Sequence, residues 1–280
     1  MRELPEIRLL ALDVDGTLAV RGHEVSPATR DALHAVTEAG IVLVVATGRR
    51  YRTTRAVIDA LDLPLSAVCL GGALVKQHDH LTLHRETFEP ALHQALVDLI
   101  RRAGQSVIVQ QDADIFGHRD VVVDDALPWN ERTRAYHENA QPWAHPGDAA
   151  AEDHALAFSL WGGHDDMAAL ERAVRSAFPL RCATVRVPDP EGGDDSYLEI
   201  LPAKVDKWTG LTRLALHLGV PSHAICAVGD AANDLPMIRQ AAWGVAMGNA
   251  GPEVQAAADW VTGRHDEDGI VAVVQRILGR

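Results

Sequence analysis

Asp13-Val14-Asp15-Gly16, continued by Thr17-Leu18, is the stretch of this chain best equipped for chemistry. It directly follows an apolar run (Ile7, Leu9, Leu10, Leu12) that reads as a buried strand, so two carboxylates are placed at the strand's carboxyl end. In open α/β sheets, ligands bind in the crevice at that edge. One carboxylate can attack an electrophile while the second, two residues on and facing the same crevice, moves the proton. That pairing makes and breaks a covalent acyl intermediate. Two plainer readings compete. In a calcium loop, Asp13, Asp15, Thr17 and Glu24 would fall at positions 1, 3, 5 and 12, but position 6 is Leu18 and a strand precedes the site, so that reading fails. The other plain reading is that the acids simply close a strand in a solvated turn.

Two more strand ends weigh against the plain turn. Thr47-Gly48 follows the β-branched run 41–46, where a hydroxyl and a glycine N–H can grip phosphate oxygens. Gly229-Asp230-Ala231-Ala232-Asn233-Asp234 follows a strand at 224–228. Gathered in one crevice, Asp13, Asp15, Asp230 and Asp234 repel one another unless a divalent cation sits among them. Few hard oxygen ligands and an open coordination sphere suit Mg²⁺. Lysine is scarce: Lys76, Lys204 and Lys207 stand against 23 arginines. Lys204 and Lys207 lie just before a helix, where a compact ammonium would neutralise both an attacking carboxylate and a bound phosphate. For either one alone, a solvated lysine at a helix start is the plain alternative.

The elements that must position these residues follow from apolar patterning. After the strand at 7–12, Ser26-Pro27 supplies a cap and a proline at the first helical position, and the helix runs to Ala39 before Gly40. The strand at 41–46 leads to a helix through about Leu61 and a strand at 67–70 ahead of Gly71-Gly72. The end of the chain repeats the rhythm: helix 209–218, strand 224–228, helix to about Ala242, strand 244–247, helix from about Pro252, strand 260–262 and helix from about Gly269. This alternation implies an α/β fold, a Rossmann-like doubly wound parallel sheet covered on both faces. Between the halves, helical patterns at 90–103 and 165–178 alternate with strand runs at 107–109, 121–123, 157–161, 184–187 and 197–201, broken by loops at 142–147 and 188–193. The expected organisation is a core from 1–82 and 202–280 with an inserted α+β domain over 83–201.

Composition bounds the function. With 47% hydrophobic and 23% charged residues the chain can bury a full core. The net charge of −13 argues against a nucleic-acid partner, which demands a basic face. Residues 83–201 hold ten Lys and Arg against 21 Asp and Glu, marking that block as compositionally distinct. No apolar run reaches the roughly 18 residues a membrane span requires, and Met1–Glu6 lacks the apolar region of a signal peptide. Cys69, Cys182 and Cys226 read as core residues of a reduced cytoplasmic protein, monomeric or homodimeric. His78, Asp79, His80 and His84 read as a solvated linker, Trp129, Trp143 and Trp161 as core of the insert ahead of pocket lining, and Arg49 as either a contact to the insert or substrate or a surface ion pair.

Asp13-Val14-Asp15-Gly16-Thr17, Ala46-Thr47-Gly48-Arg49, Val205-Asp206-Lys207 and Gly229 through Asp234 resemble the four ordered motifs of the haloacid dehalogenase superfamily. The continuation through Met237 and Val245-Ala246-Met247-Gly248-Asn249-Ala250, with the long insert between the second and third motifs, is similar to Cof-type phosphatases with the large α/β cap (class IIB). The resemblance covers both core segments. It implies Asp13 as nucleophile forming an aspartyl-phosphate and Asp15 as acid, then base. It further implies Thr47, Gly48, Lys207 and Asn233 around the phosphoryl group, and Mg²⁺ held through Asp13, the Asp15 carbonyl and Asp230 with Asp234 in support. The insert is then a substrate-specificity cap. Where the family usually carries glycines around the third-motif lysine, this chain has Lys204 and Trp208, which keeps Lys204 as a second candidate. The implied activity is Mg²⁺-dependent hydrolysis of small organic phosphate monoesters such as sugar phosphates or phosphorylated cofactors. The alternatives are a phosphomutase acting on a hexose phosphate and a phospho-metabolite binding protein without turnover.

Overall fold

A computed structural model describes residues 4–19, 24–116, 120–188 and 193–279 of the chain. The first arm runs β1 (Leu9–Leu12), α1 (Pro27–Glu38), β2 (Val42–Ala46), α2 (Tyr51–Leu61), β3 (Ser66–Cys69), β4 (Leu74–Lys76) and β5 (Thr82–Arg85). The middle of the chain contributes α3 (Pro90–Arg102), β6 (Ile108–Gln110), α4 (Ala113–Phe116), β7 (Val121–Asp124), α5 (Glu131–Asn139), β8 (Ala144–Gly147), β9 (Ala157–Gly163), α6 (His164–Ala177), β10 (Cys182–Pro188) and β11 (Asp195–Pro202). The return arm holds α7 (Lys207–His217), β12 (Ile225–Gly229), α8 (Leu235–Gln240), β13 (Trp243–Ala246), α9 (Pro252–Ala257), β14 (Trp260–Val261) and α10 (Gly269–Ile277). Packing separates two compact units, one from Met1–His84 with Asp206–Arg280, the other from Arg85–Val205.

The first unit is built on an eight-stranded sheet in the order β14-β13-β12-β1-β2-β3-β4-β5. The strands from β14 through β3 are parallel, and β4 pairs antiparallel with β3. Side chains alternate faces along each strand. Leu9, Ala11, Val44, Ala46 and Val68 pack with Leu211 and Leu214 of α7 and Met237 of α8. Leu10 and Leu12, equally buried, point to the opposite face, and α1 lies against β2 and α10. Register then decides the site: Leu12 stands beside Val45 and Val228, so β1, β2 and β12 end at one level. The Asp13 N–H continues the ladder to the Val228 carbonyl at 3.0 Å, and the Thr47 N–H reaches the Val68 carbonyl at 2.8 Å.

The second unit carries a six-stranded sheet, β10-β11-β9-β6-β7-β8. One face packs Phe158, Leu160, Leu198 and Ile200 against Leu96 and Ile100 of α3 and Met167 of α6. On the other face Ile108, Val121 and Val123 sit under Trp129, Tyr136 and Trp161, two of the three tryptophans expected in the core.

Two local expectations need correction, and one helix was not expected at all. The Pro- and Gly-bearing stretch 142–147 is not all loop: Ala144–Gly147 forms β8, parallel to β7. As an edge strand it tolerates Pro146, which cannot donate to a further neighbour. The supposed linker around His78 is a hairpin. His80 stands in its turn at φ +72° with its Nδ1 2.6 Å from the Tyr51 hydroxyl, and His84 lies on β5. Helix α5 has no apolar stripe to announce it and is fixed by Asn130, whose side chain accepts from the Thr133 N–H at 2.8 Å. Of the loop expected at 188–193, positions 189–192 lie outside the described residues, as do positions 1–3 of the amino terminus.

Candidate active site

Helix α7 delivers the cation. Asp206 caps it, accepting from the Thr209 N–H at 2.7 Å while the Thr209 hydroxyl accepts from the Asp206 N–H at 3.0 Å. Lys207 is therefore held in the first turn with its side chain almost wholly buried, at 1% exposure. Its Nζ donates to Asp13 Oδ1 at 2.7 Å and to Asp234 Oδ1 at 2.5 Å. Lys204 is exposed and bends the chain at φ +62°, a left-handed conformation that explains why glycine suits that position. Of the two candidate lysines, Lys207 is the one gathered with the acids.

The loop after β12 supplies the remaining acids. Asp234 is fully buried, and its Oδ2 accepts the N–H groups of Asp230 and Ala231, both at 2.9 Å. With Lys207 on its other oxygen, Asp234 braces the loop. Asp230 accepts from the Thr17 hydroxyl at 2.9 Å, and Asn249 donates to the Gly16 carbonyl at 2.8 Å and to Asp230 Oδ2 at 3.4 Å. Gly16 is required here: at φ +76°, any Cβ it carried would stand 2.3 Å from Asp230 Oδ2. Gly48 lies beside the Asn233 side-chain amide, and the Asn233 Oδ1 is buried without a hydrogen-bond partner. Thr47 is buried, and its Oγ1 accepts from the Arg49 N–H at 3.1 Å.

Asp15 stands apart from this cluster. Its side chain is 63% exposed, and both carboxylate oxygens are taken by Arg49, Nε to Oδ2 at 2.7 Å and Nη2 to Oδ1. Of the two expectations for Arg49, the ion pair is present and its partner is Asp15. Thr17 and Asn249 lie in stretches already noted in the sequence, but no role was expected of either. Asn249 follows the end of β13 just as Asp13 follows β1, so the strand-end logic that exposed the other residues also reaches it.

The electrostatics show an excess of negative charge. Burial raises the Asp13 pKa, Asp234 raises it further, and Lys207 opposes both. Burial pushes Asp230 up to about 6, against the Thr17 hydrogen bond and with the help of Asp234. Burial alone would lower the Lys207 pKa, but Asp13 and Asp234 outweigh it and hold the ammonium charged beyond its ordinary range.

One oxygen from each of Asp13, Asp230 and Asp234 lies within 4.8 Å of the others. Three carboxylates face one ammonium, and the free acceptor of Asn233 belongs to the same loop. All the donors are hard oxygens. That donor set fits a small divalent cation and does not fit a soft metal.

Comparison with known proteins shows what the whole chain is similar to. The Bacillus subtilis stress response protein YhaX is 26% identical over 277 residues, spanning 96% of this chain and 92% of its own length. The B. subtilis 5-amino-6-(5-phospho-D-ribitylamino)uracil phosphatase YwtE is 25% identical, over 97% of this chain and 98% of its own. The structure of the subclass IIB sugar phosphatase BT4131 superposes with a TM-score of 0.78 at 22% identity, over 97% of this chain and 99% of that one, a likeness of fold. The family model for haloacid dehalogenase-like hydrolases matches residues 10–274. That match spans nearly the whole chain, and it shows the family: the chain belongs to the haloacid dehalogenase-like hydrolases.

Proposed function

We propose that this hydrolase is a Mg²⁺-dependent phosphatase of small organic phosphate monoesters, sugar phosphates or phosphorylated cofactors, working through an aspartyl-phosphate on Asp13. The observation that carries the reading is the buried Lys207 ammonium bonded at once to Asp13 and Asp234. A phosphate dianion repels an attacking carboxylate, and a fixed cation beside the nucleophile removes that obstacle where water is excluded. YwtE's named substrate is a phosphorylated ribityl compound, and BT4131 is named a sugar phosphatase, which favours the same substrate class for this chain.

In the first step an Asp13 oxygen forms a bond to phosphorus, the ester P–O bond breaks, and protonated Asp15 gives its proton to the departing alkoxide. In the second, Asp15 as carboxylate takes a proton from water. The water oxygen bonds to phosphorus, and the P–O bond to Asp13 breaks, restoring the carboxylate. Thr47, the Gly48 N–H, Asn233 and Lys207 are assigned to the phosphoryl oxygens. Asp13, Asp230 and the Asp15 carbonyl are assigned to Mg²⁺, with Asp234 bracing them; when bound, the ion supplies further neutralisation of phosphoryl charge. The inserted unit is assigned to substrate choice. The three free cysteines accord with a reducing, cytoplasmic setting.

A panel of phosphorylated metabolites assayed for free phosphate tests the reading. Release with Mg²⁺ and none with chelator is expected. Failure across the panel, or conversion of a hexose-1-phosphate into its isomer without free phosphate, overturns it.

A further inference from the structure

We infer that Asn249 is a positioning residue for the cation: its carboxamide locks the turn after β1 to the Asp230 carboxylate and so sets the arrangement that binds Mg²⁺. The inference rests on the proposed assignment of Asp13, Asp230 and the Asp15 carbonyl to that ion.

The turn and the acid belong to different strand ends. Gly16 offers its carbonyl from the turn, and Asp230 offers Oδ2 from the loop after β12. Both are acceptors, and two acceptors at close quarters need a donor between them. Asn249 Nδ2 is that donor, 2.8 Å from the Gly16 carbonyl and 3.4 Å from Asp230 Oδ2. Its Oδ1 accepts from the His265 N–H at 3.0 Å. These partners also settle which way the amide points, because a backbone N–H can only donate and a carbonyl can only accept. Asp230 Oδ1 has the Thr17 hydroxyl at 2.9 Å. One hydroxyl would leave the carboxylate free to turn about that bond, and the second donor on Oδ2 stops it. The Gly16 carbonyl lies one peptide along from the Asp15 carbonyl, so holding the former steadies the latter.

Asn249 can do this because its own backbone is anchored. The Met247 N–H donates to the Gly229 carbonyl at 3.0 Å, and the Gly248 N–H to the Gly263 carbonyl at 2.9 Å. The turn that carries Asn249 is thereby stitched to the ends of β12 and β14. From α9, Gln255 Nε2 donates to the Gly248 and Ala250 carbonyls at 3.2 and 2.9 Å, bracing the same turn through its backbone.

Calorimetric titration of the full chain with Mg²⁺ tests this in wild type, Asn249→Ala, Asn249→Ser and Gln255→Ala. Groups that orient metal ligands are worth about 10- to 100-fold in metal affinity, so Asn249→Ala is expected to raise the Mg²⁺ Kd at least about tenfold. Asn249→Ser is expected to move it in the same direction and gives the reading if the alanine variant does not fold. Gln255→Ala loosens the same turn and is expected to leave the Kd near the wild-type value. An unchanged Kd in Asn249→Ala, or an equal rise in Gln255→Ala, would mean that Asn249 only stabilises the turn and would overturn the inference. Mg²⁺ binding that survives Asp230→Ala would instead defeat the Mg²⁺ assignment itself.

Discussion

Asp13 and Lys207 form the pair on which the chemistry turns, and each substitution there has a distinct expected outcome. Asp13→Asn removes the attacking carboxylate while relieving repulsion with Asp234 and Asp230, so hydrolysis should fall to background without a lower thermal midpoint. Activity near wild type would mean that the nucleophile is misassigned. Lys207→Ala leaves Asp13 and Asp234 buried without their shared cation and should damage turnover far more than Lys204→Ala, measured as kcat on a common substrate. Lys204 offers a stability test as well: its φ of +62° is costly for a side chain, and Lys204→Gly should stabilise the protein by about 1 kcal/mol in denaturant unfolding. At this scale the acids were legible because their spacing and their place after apolar runs are linear properties. Thr17 and Asn249 were given no role, since a hydroxyl and an amide acquire meaning only from the Asp230 and Gly16 atoms they reach across the fold. The preference for Lys207 over Lys204 likewise became geometric only once the Asp206 cap had fixed where α7 begins.

At the scale of elements, the seat of α7 governs the site. Gly72, at φ +114°, lets the crest after β3 press on the helix entry: a Cβ there would stand 2.1 Å from the Asp206 carbonyl oxygen. Gly72→Ala should therefore cost more than about 2 kcal/mol and lower kcat together with stability, because the only relief is to push the Lys207 turn away. Asp206→Ala, which loses the cap but keeps the space, should cost about 1 kcal/mol in the same unfolding measurement. Parallel strands and their helices were readable because burial on both faces writes unbroken β-branched runs and amphipathic stretches into the sequence. The elements misread or missed share a cause. β8 carries a proline and pairs at an edge, the β4–β5 hairpin joins short strands through a polar turn, and α5 buries little beyond Thr133. None of them needs a strong apolar pattern, so none declares itself.

For the molecule as a whole, the decisive quantity is the surplus of buried negative charge. Asp230 ionises at about 6 in the folded protein against an ordinary value of 3.8. A carboxyl whose pKa is raised on folding favours the folded state below its unfolded pKa, and that stability is lost as pH rises through the folded value. A divalent cation bound to the ionised acids reverses that loss. The thermal shift produced by Mg²⁺ should therefore be larger at a pH of about 8 than at about 5; equal shifts would place the ion elsewhere. No helix among the described residues is long and apolar enough to cross a membrane. The claim on which everything else depends is that Asp13 takes the phosphoryl group, and rapid acid quenching during turnover of a phosphorus-labelled substrate tests it most directly. The expected result is label on the peptide that contains Asp13, formed at least as fast as phosphate is released; label on any other side chain would contradict the account.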